Sequence, residues 1–78
     1  MNSLDAIRFR IKSLMVERNI NWNALCLKCG LSPSSLKSIF YKRAKSTTIH
    51  TINLICDGLG ICIKDFFNYD IFENIYDL

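Results

Sequence analysis

Ser34, Lys37, Ser38 and Tyr41 recur at the i, i+3, i+4, i+7 spacing of a single helical face, and no carboxylate interrupts them. Ser32 stands just before this stretch, and Lys42, Arg43 and Lys45 follow it. Hydroxyls and an ammonium on one face donate hydrogen bonds to an acceptor-rich partner. A lysine at Lys37 can reach guanine O6 or N7, and serines at Ser34 and Ser38 can pair with several base-edge acceptors. Lys42, Arg43 and Lys45 suit phosphates, as do Ser32 and the amides beside it. The face holds no Arg, Asn or Gln, so it lacks the bidentate pairs that each give about 1–3 kcal/mol of base discrimination. Its sequence preference is expected to be shallow, or aided by DNA shape and water.

Other chemistry is sparse. Cys26 and Cys29 have zinc-like CxxC spacing, but no second CxxC follows and His50 is the only histidine. Both fall within a predicted helix as small apolar residues, so no metal site and no cofactor are expected. His50 has no nucleophile near it in sequence, and no Gly-rich phosphate loop is present, so an enzyme is not expected.

The elements that must present the face follow from hydrophobic periodicity. Leu4, Ile7, Ile11, Leu14 and Met15 predict a first helix capped by Ser3, with Arg8, Arg10, Lys12 and Arg18 on its other faces. Phe9 falls off the apolar stripe. Asn21 caps a second helix with Leu25, Cys26 and Cys29 inward and Leu27 outward. Gly30 ends it. Ser32 then caps a third helix with Pro33 at its first position and Leu36, Ile39 and Phe40 inward. Two short helices about a glycine turn form the geometry that lays one helix in a DNA major groove. Thr47 or Thr48 starts a fourth helix with Ile49, Ile52, Ile55, Cys56 and Leu59 in the core. Gly58 weakens its end and Gly60 stops it. Ile63, Phe66 and Phe67 mark a fifth.

With 78 residues the chain is a single domain. Its net charge of +3 conceals an asymmetry. All ten Lys and Arg fall within residues 1–64 against three acids, leaving +7, while residues 65–78 carry −4. A basic body suits a polyanion. No apolar run is long enough to span a membrane, and the first residues lack a signal-peptide pattern, so a cytoplasmic protein with reduced thiols is expected.

Ile7-x-x-x-Ile11-x-x-Leu14, Leu25-Cys26-x-x-Cys29-Gly30-Leu31-Ser32, Leu36-x-x-Ile39 and the run Ile49 to Ile61 followed by Ile63-x-x-Phe66-Phe67 together resemble the Cro/C1-type, lambda repressor-like helix-turn-helix family. The resemblance implies an all-α, five-helix DNA-binding domain at residues 1–68. It implies a regulator that binds double-stranded DNA as a homodimer, with residues 33–41 as the recognition helix. Trp22 occupies the start of the second helix, where the family touches phosphate. Phe40 and Met15 hold places where many members have an ion pair, and here imply a hydrophobic contact. Cys62 replaces the usual Ser or Thr cap of the fifth helix.

Residues 69–78 form a helical tail with Ile71, Phe72, Ile75 and Tyr76 on one side. These apolar residues suit dimerisation, or folding back onto the same core. The alternative function is a protein–protein interaction module on this fold, for which exposed Trp22, Leu27 and Phe9 would speak.

Overall fold

Side-chain oxygens set the helix starts. The computed structural model describes residues 2–41 and 47–75. These form α1 (Ser3–Glu17), α2 (Trp22–Cys29), α3 (Pro33–Phe40), α4 (Ile49–Leu59) and α5 (Ile63–Phe67), then a 3-10 helix (Asp70–Asn74), and no strand appears among them. Asn21, Ser32 and Thr48 cap α2, α3 and α4 by accepting from the amides of Ala24, Ser35 and Thr51. The α1 cap is Asn2, whose Oδ1 accepts from Asp5 N at 2.8 Å, and the expected Ser3 is already helical. Cys62 precedes α5 without a side-chain cap bond, as a weak sulfur acceptor should.

Three of the helices end on left-handed residues. Asn19 (φ 53°) follows α1, Gly30 (φ 65°) follows α2 and Gly60 (φ 71°) follows α4. The amides of Gly30 and Leu31 both turn back to Cys26 O, closing the end of α2. By contrast α3 ends on extended Tyr41, and α5 ends on Asn68 with φ −81°. Arginines from α1 hold both of these ends. Arg8 Nε donates to Ile39 O at 2.6 Å and its Nη2 to Tyr41 O at 2.8 Å. Arg10 Nε donates to Phe66 O at 2.8 Å and its Nη2 to Asp65 O at 3.1 Å.

Arg10 therefore corrects the sequence expectation of a surface residue. It is 8% exposed, and its guanidinium lies 4.4 Å from the centre of the Tyr69 ring. Its charge is tolerated inside because two carbonyls and a ring face replace water.

Phe66, Ile11, Leu14, Leu25, Leu36, Ile55 and Cys56 are fully enclosed. Burial of one such aliphatic or aromatic side chain stabilises the fold by about 1.5–3 kcal/mol. Ile49, at the first position of α4, is 62% exposed, against expectation. Ile52, Ile55, Cys56 and Leu59 complete the inward stripe without it.

Gly58 has a structural task beyond weakening a helix end. A Cβ there would stand 2.5 Å from Lys28 O, 2.6 Å from Cys29 Sγ and 2.7 Å from Cys29 Cα. The glycine lets α4 lie directly on the last turn of α2.

The tail folds back. Phe72 packs edge-on against Phe67 at 4.9 Å and lies 6.2 Å from Phe66, while Tyr69 meets Phe9 at 6.3 Å. Phe72 thus packs against the core of its own domain and, like Ile71 and Ile75, is half-buried. Tyr76 lies outside the described residues. Among the described residues of the expected tail helix stands a 3-10 segment, five residues long.

Candidate nucleic-acid interface

The α2–α3 corner is built from a closed turn and a distant tether. Gly30 reverses the chain, Leu31 packs against the core, and Ser32 starts α3 with Pro33 fixing its first φ. Leu36 and Ile39 anchor the inner stripe of α3. Ser34, Ser35, Lys37 and Ser38 are all exposed, and Tyr41 is 59% exposed. The four residues expected to touch bases are therefore all exposed, on and just after a helix that itself carries no carboxylate.

Their hydroxyls are locally occupied. Ser32 Oγ accepts from Ser35 N at 3.1 Å, donates to Ser35 Oγ at 2.8 Å and lies 3.2 Å from Ser34 Oγ. Ser38 Oγ donates to Ser35 O at 2.7 Å. Ser38 must rotate away from its own helix to donate elsewhere, although its lone pairs remain available. Lys37 needs no such exchange and has the longest reach.

Trp22 departs from the picture of an exposed phosphate contact. It is half-buried, and its ring meets Phe40 edge-on at 5.4 Å. The indole Nε1 is enclosed and has no hydrogen-bond partner among the described residues. Lys12 Nζ lies 5.5 Å from the centre of the Phe40 ring, within cation–π range. Phe40 thus joins α1, α2 and α3 through Lys12 and Trp22. Half-buried Met15 lies against the same core.

Lys42, Arg43 and Lys45 lie outside the described residues. Arg8 and Arg10 are bound to backbone carbonyls within the fold, so the +7 body presents fewer cations to a partner than its sequence suggests.

Among the described residues no group of three His, Cys, Asp or Glu could hold a metal ion. Cys26, Cys29 and Cys56 are buried free thiols and Cys62 is exposed. Burial pushes the Cys29 thiol above its ordinary value, with Cys26 and Cys56 adding and Lys28 opposing. Burial raises Cys56 likewise, with Asp57 and Cys62 adding and Arg10 opposing. Protonated thiols in an apolar site are poor nucleophiles.

Residues 10–70 match the Cro/C1-type HTH DNA-binding domain. The chain belongs to this family. The crystal structure of the prophage Lp1 protein 11 is similar over 96% of this chain and 100% of that one, with 28% identity and a TM-score of 0.83. No curated protein matches the chain. Both helices of the α2–α3 corner lie within the matched residues. The family consists of DNA-binding regulators of phage and bacterial type. No helix among the described residues is long and apolar enough to cross a membrane.

Sequence reasoning missed Arg8. Its two carbonyl partners are more than 30 residues away, and locally only the i, i+3 pairing with Asp5 marks it. The other available signal is negative: Phe40 is not followed by Gly or Asn, the residues that usually close a helix.

Proposed function

We propose that this protein is a sequence-specific transcriptional repressor that lays α3 in the DNA major groove and acts as a homodimer on two half-sites. The observation that carries the proposal is the open, acid-free face of α3, with Lys37, Ser38, Ser34 and Tyr41 exposed together. Lys37 is assigned to guanine edges and the serines and Tyr41 to adjoining acceptors. Ser32 and the first amides of α3 are assigned to phosphate, as are Lys42, Arg43 and Lys45, which follow Tyr41 in sequence. At Trp22 the enclosed indole leaves the backbone at the start of α2 as the phosphate donor. Repression needs nothing more than occupancy of promoter DNA.

Selection of bound duplexes from a random pool tests the proposal and supplies the operator. On that operator, Lys37→Ala should weaken binding more than it does on scrambled DNA. Lys42→Ala should weaken both equally and reduce the log–log salt slope by about 0.9. Equal losses for both variants on both DNAs would remove the assigned division of labour.

A second reading, protein binding without DNA, has its own observation. Phe9, Ser13, Val16 and Tyr69 line an open, mainly apolar groove on α1, flanked by Lys12 and Glu17. It takes precedence if selection enriches no sequence and the protein shifts no duplex at low salt.

A further inference from the structure

In the reading above α3 is the DNA-reading element, yet among the described residues its C-terminal end has no cap from its own backbone. The residue after Phe40 is extended (φ −69°, ψ 134°), where α2 and α4 each finish on a left-handed glycine. Helix ends without such a cap leave carbonyls unsatisfied and fray. Arg8 supplies what is missing, through a side chain that is 19% exposed. Its Nε and Nη2 donate to Ile39 O and Tyr41 O, and its Nη1 donates to Asp5 Oδ1 at 2.9 Å. Asp5 orients the planar guanidinium, and α1 in turn is anchored by Leu4, Ile11 and Leu14 in the core.

We infer that Arg8 is a positioning residue for DNA recognition: it fixes the last turn of α3 and the placement of Tyr41 without touching DNA. The inference rests on the DNA-binding reading above. It differs from a phosphate contact because all three donor nitrogens are bound inside the protein. A guanidinium suits the task because its rigid fork reaches two carbonyls at once, and an ammonium cannot match both directions.

Arg8→Met keeps the length of the stem and removes the donors. Arg8→Lys keeps the charge and is the conservative rescue. Ile55→Val, deep between α2 and α4, serves as a control for general loss of stability. All are compared with wild type on the selected operator and on scrambled DNA, at a temperature where circular dichroism shows each fully helical. Arg8→Met should lose about tenfold or more on the operator, the scale of lost charge-assisted hydrogen bonds, with little change on scrambled DNA. Arg8→Lys should recover part of the loss, and Ile55→Val should leave the ratio of the two affinities unchanged. Amide exchange should quicken at Ile39 and Phe40 in Arg8→Met, and not in α4.

Equal losses on both DNAs with a salt slope reduced by about 0.9 would make Arg8 a phosphate contact and overturn the inference. Unchanged exchange at Ile39 and Phe40, or an unchanged affinity ratio, would overturn it as well. A wild-type protein that binds no duplex would instead remove the functional reading itself, while the exchange experiment would still decide the capping role.

Discussion

Gly58→Ala should destabilise the protein, although alanine is the better helix former. In an isolated helix the change would stabilise by about 1 kcal/mol. In the fold, the new methyl would meet Lys28 O at 2.5 Å and two atoms of Cys29 at 2.6 and 2.7 Å. Two of those three atoms belong to the α2 backbone, so no rotamer change clears them. Bringing the closest approach to ordinary contact at 3.4 Å requires α2 and α4 to part by about 0.9 Å. That displacement loosens Leu25, Cys26 and Cys29 against Ile52, Ile55, Cys56 and Leu59. Overpacking of this kind costs about 1–3 kcal/mol, and backbone clashes belong at the upper end. The net loss is then about 1–2 kcal/mol, or roughly 4–16 °C in Tm for a domain of this size. Urea and thermal melts measure it. Cys29→Ala removes one of the three obstructing atoms, so the double variant should lose less than the sum of the single ones. Gly60→Ala is the contrast: nothing lies within 4 Å, and only the backbone strain at φ 71° opposes it. A Gly58→Ala protein as stable as wild type, or more so, would refute the close approach of α4 to α2.

Arg10→Met should lower stability by about 2–3 kcal/mol in urea melts, because Phe66 O and Asp65 O lose charge-assisted donors. Phe72→Ala should cost about 1.5–2.5 kcal/mol, near half the value for a fully buried phenylalanine, and leave the sedimentation coefficient of the wild-type oligomer unchanged. Raised thiol values at Cys29 and Cys56 mean that the unfolded chain gives up these protons first as pH rises. Stability is therefore full below the ordinary thiol range and declines above about pH 9, by at most about 1.4 kcal/mol per pH unit for each thiol. The urea midpoint should fall between pH 8 and 10, and less so in Cys56→Ala. In the folded protein at neutral pH, a thiol reagent should modify Cys62 first and the other three only on opening.

Local chemistry was legible in the chain. Asn21, Ser32 and the Thr47–Thr48 pair announce helix starts, Gly30 and Gly60 announce ends, and the apolar spacing places Leu25, Leu36, Ile55 and Phe66 inside. The open face of α3 was legible because a short helix with one apolar stripe leaves its other side outward. What escaped were contacts between residues far apart in sequence. A hydropathy pattern treats every arginine as a surface residue, so it cannot place Arg10 beneath Tyr69 or Arg8 at the end of α3. The same holds for Trp22, whose position at a helix start says nothing of the Phe40 ring packed against it. Gly58 was taken for a helix weakener because its neighbour α2 is invisible in the local sequence.

Arg8 of α1 limits how the α2–α3 corner can be transplanted. Residues 21–41 contain both helices of the corner, yet the carbonyls at Ile39 and Tyr41 are satisfied from a helix outside that span. A graft of the corner alone onto a foreign scaffold would carry the reading face but leave its final turn untethered. A graft that also supplies a guanidinium at the place of Arg8 should restore that tether.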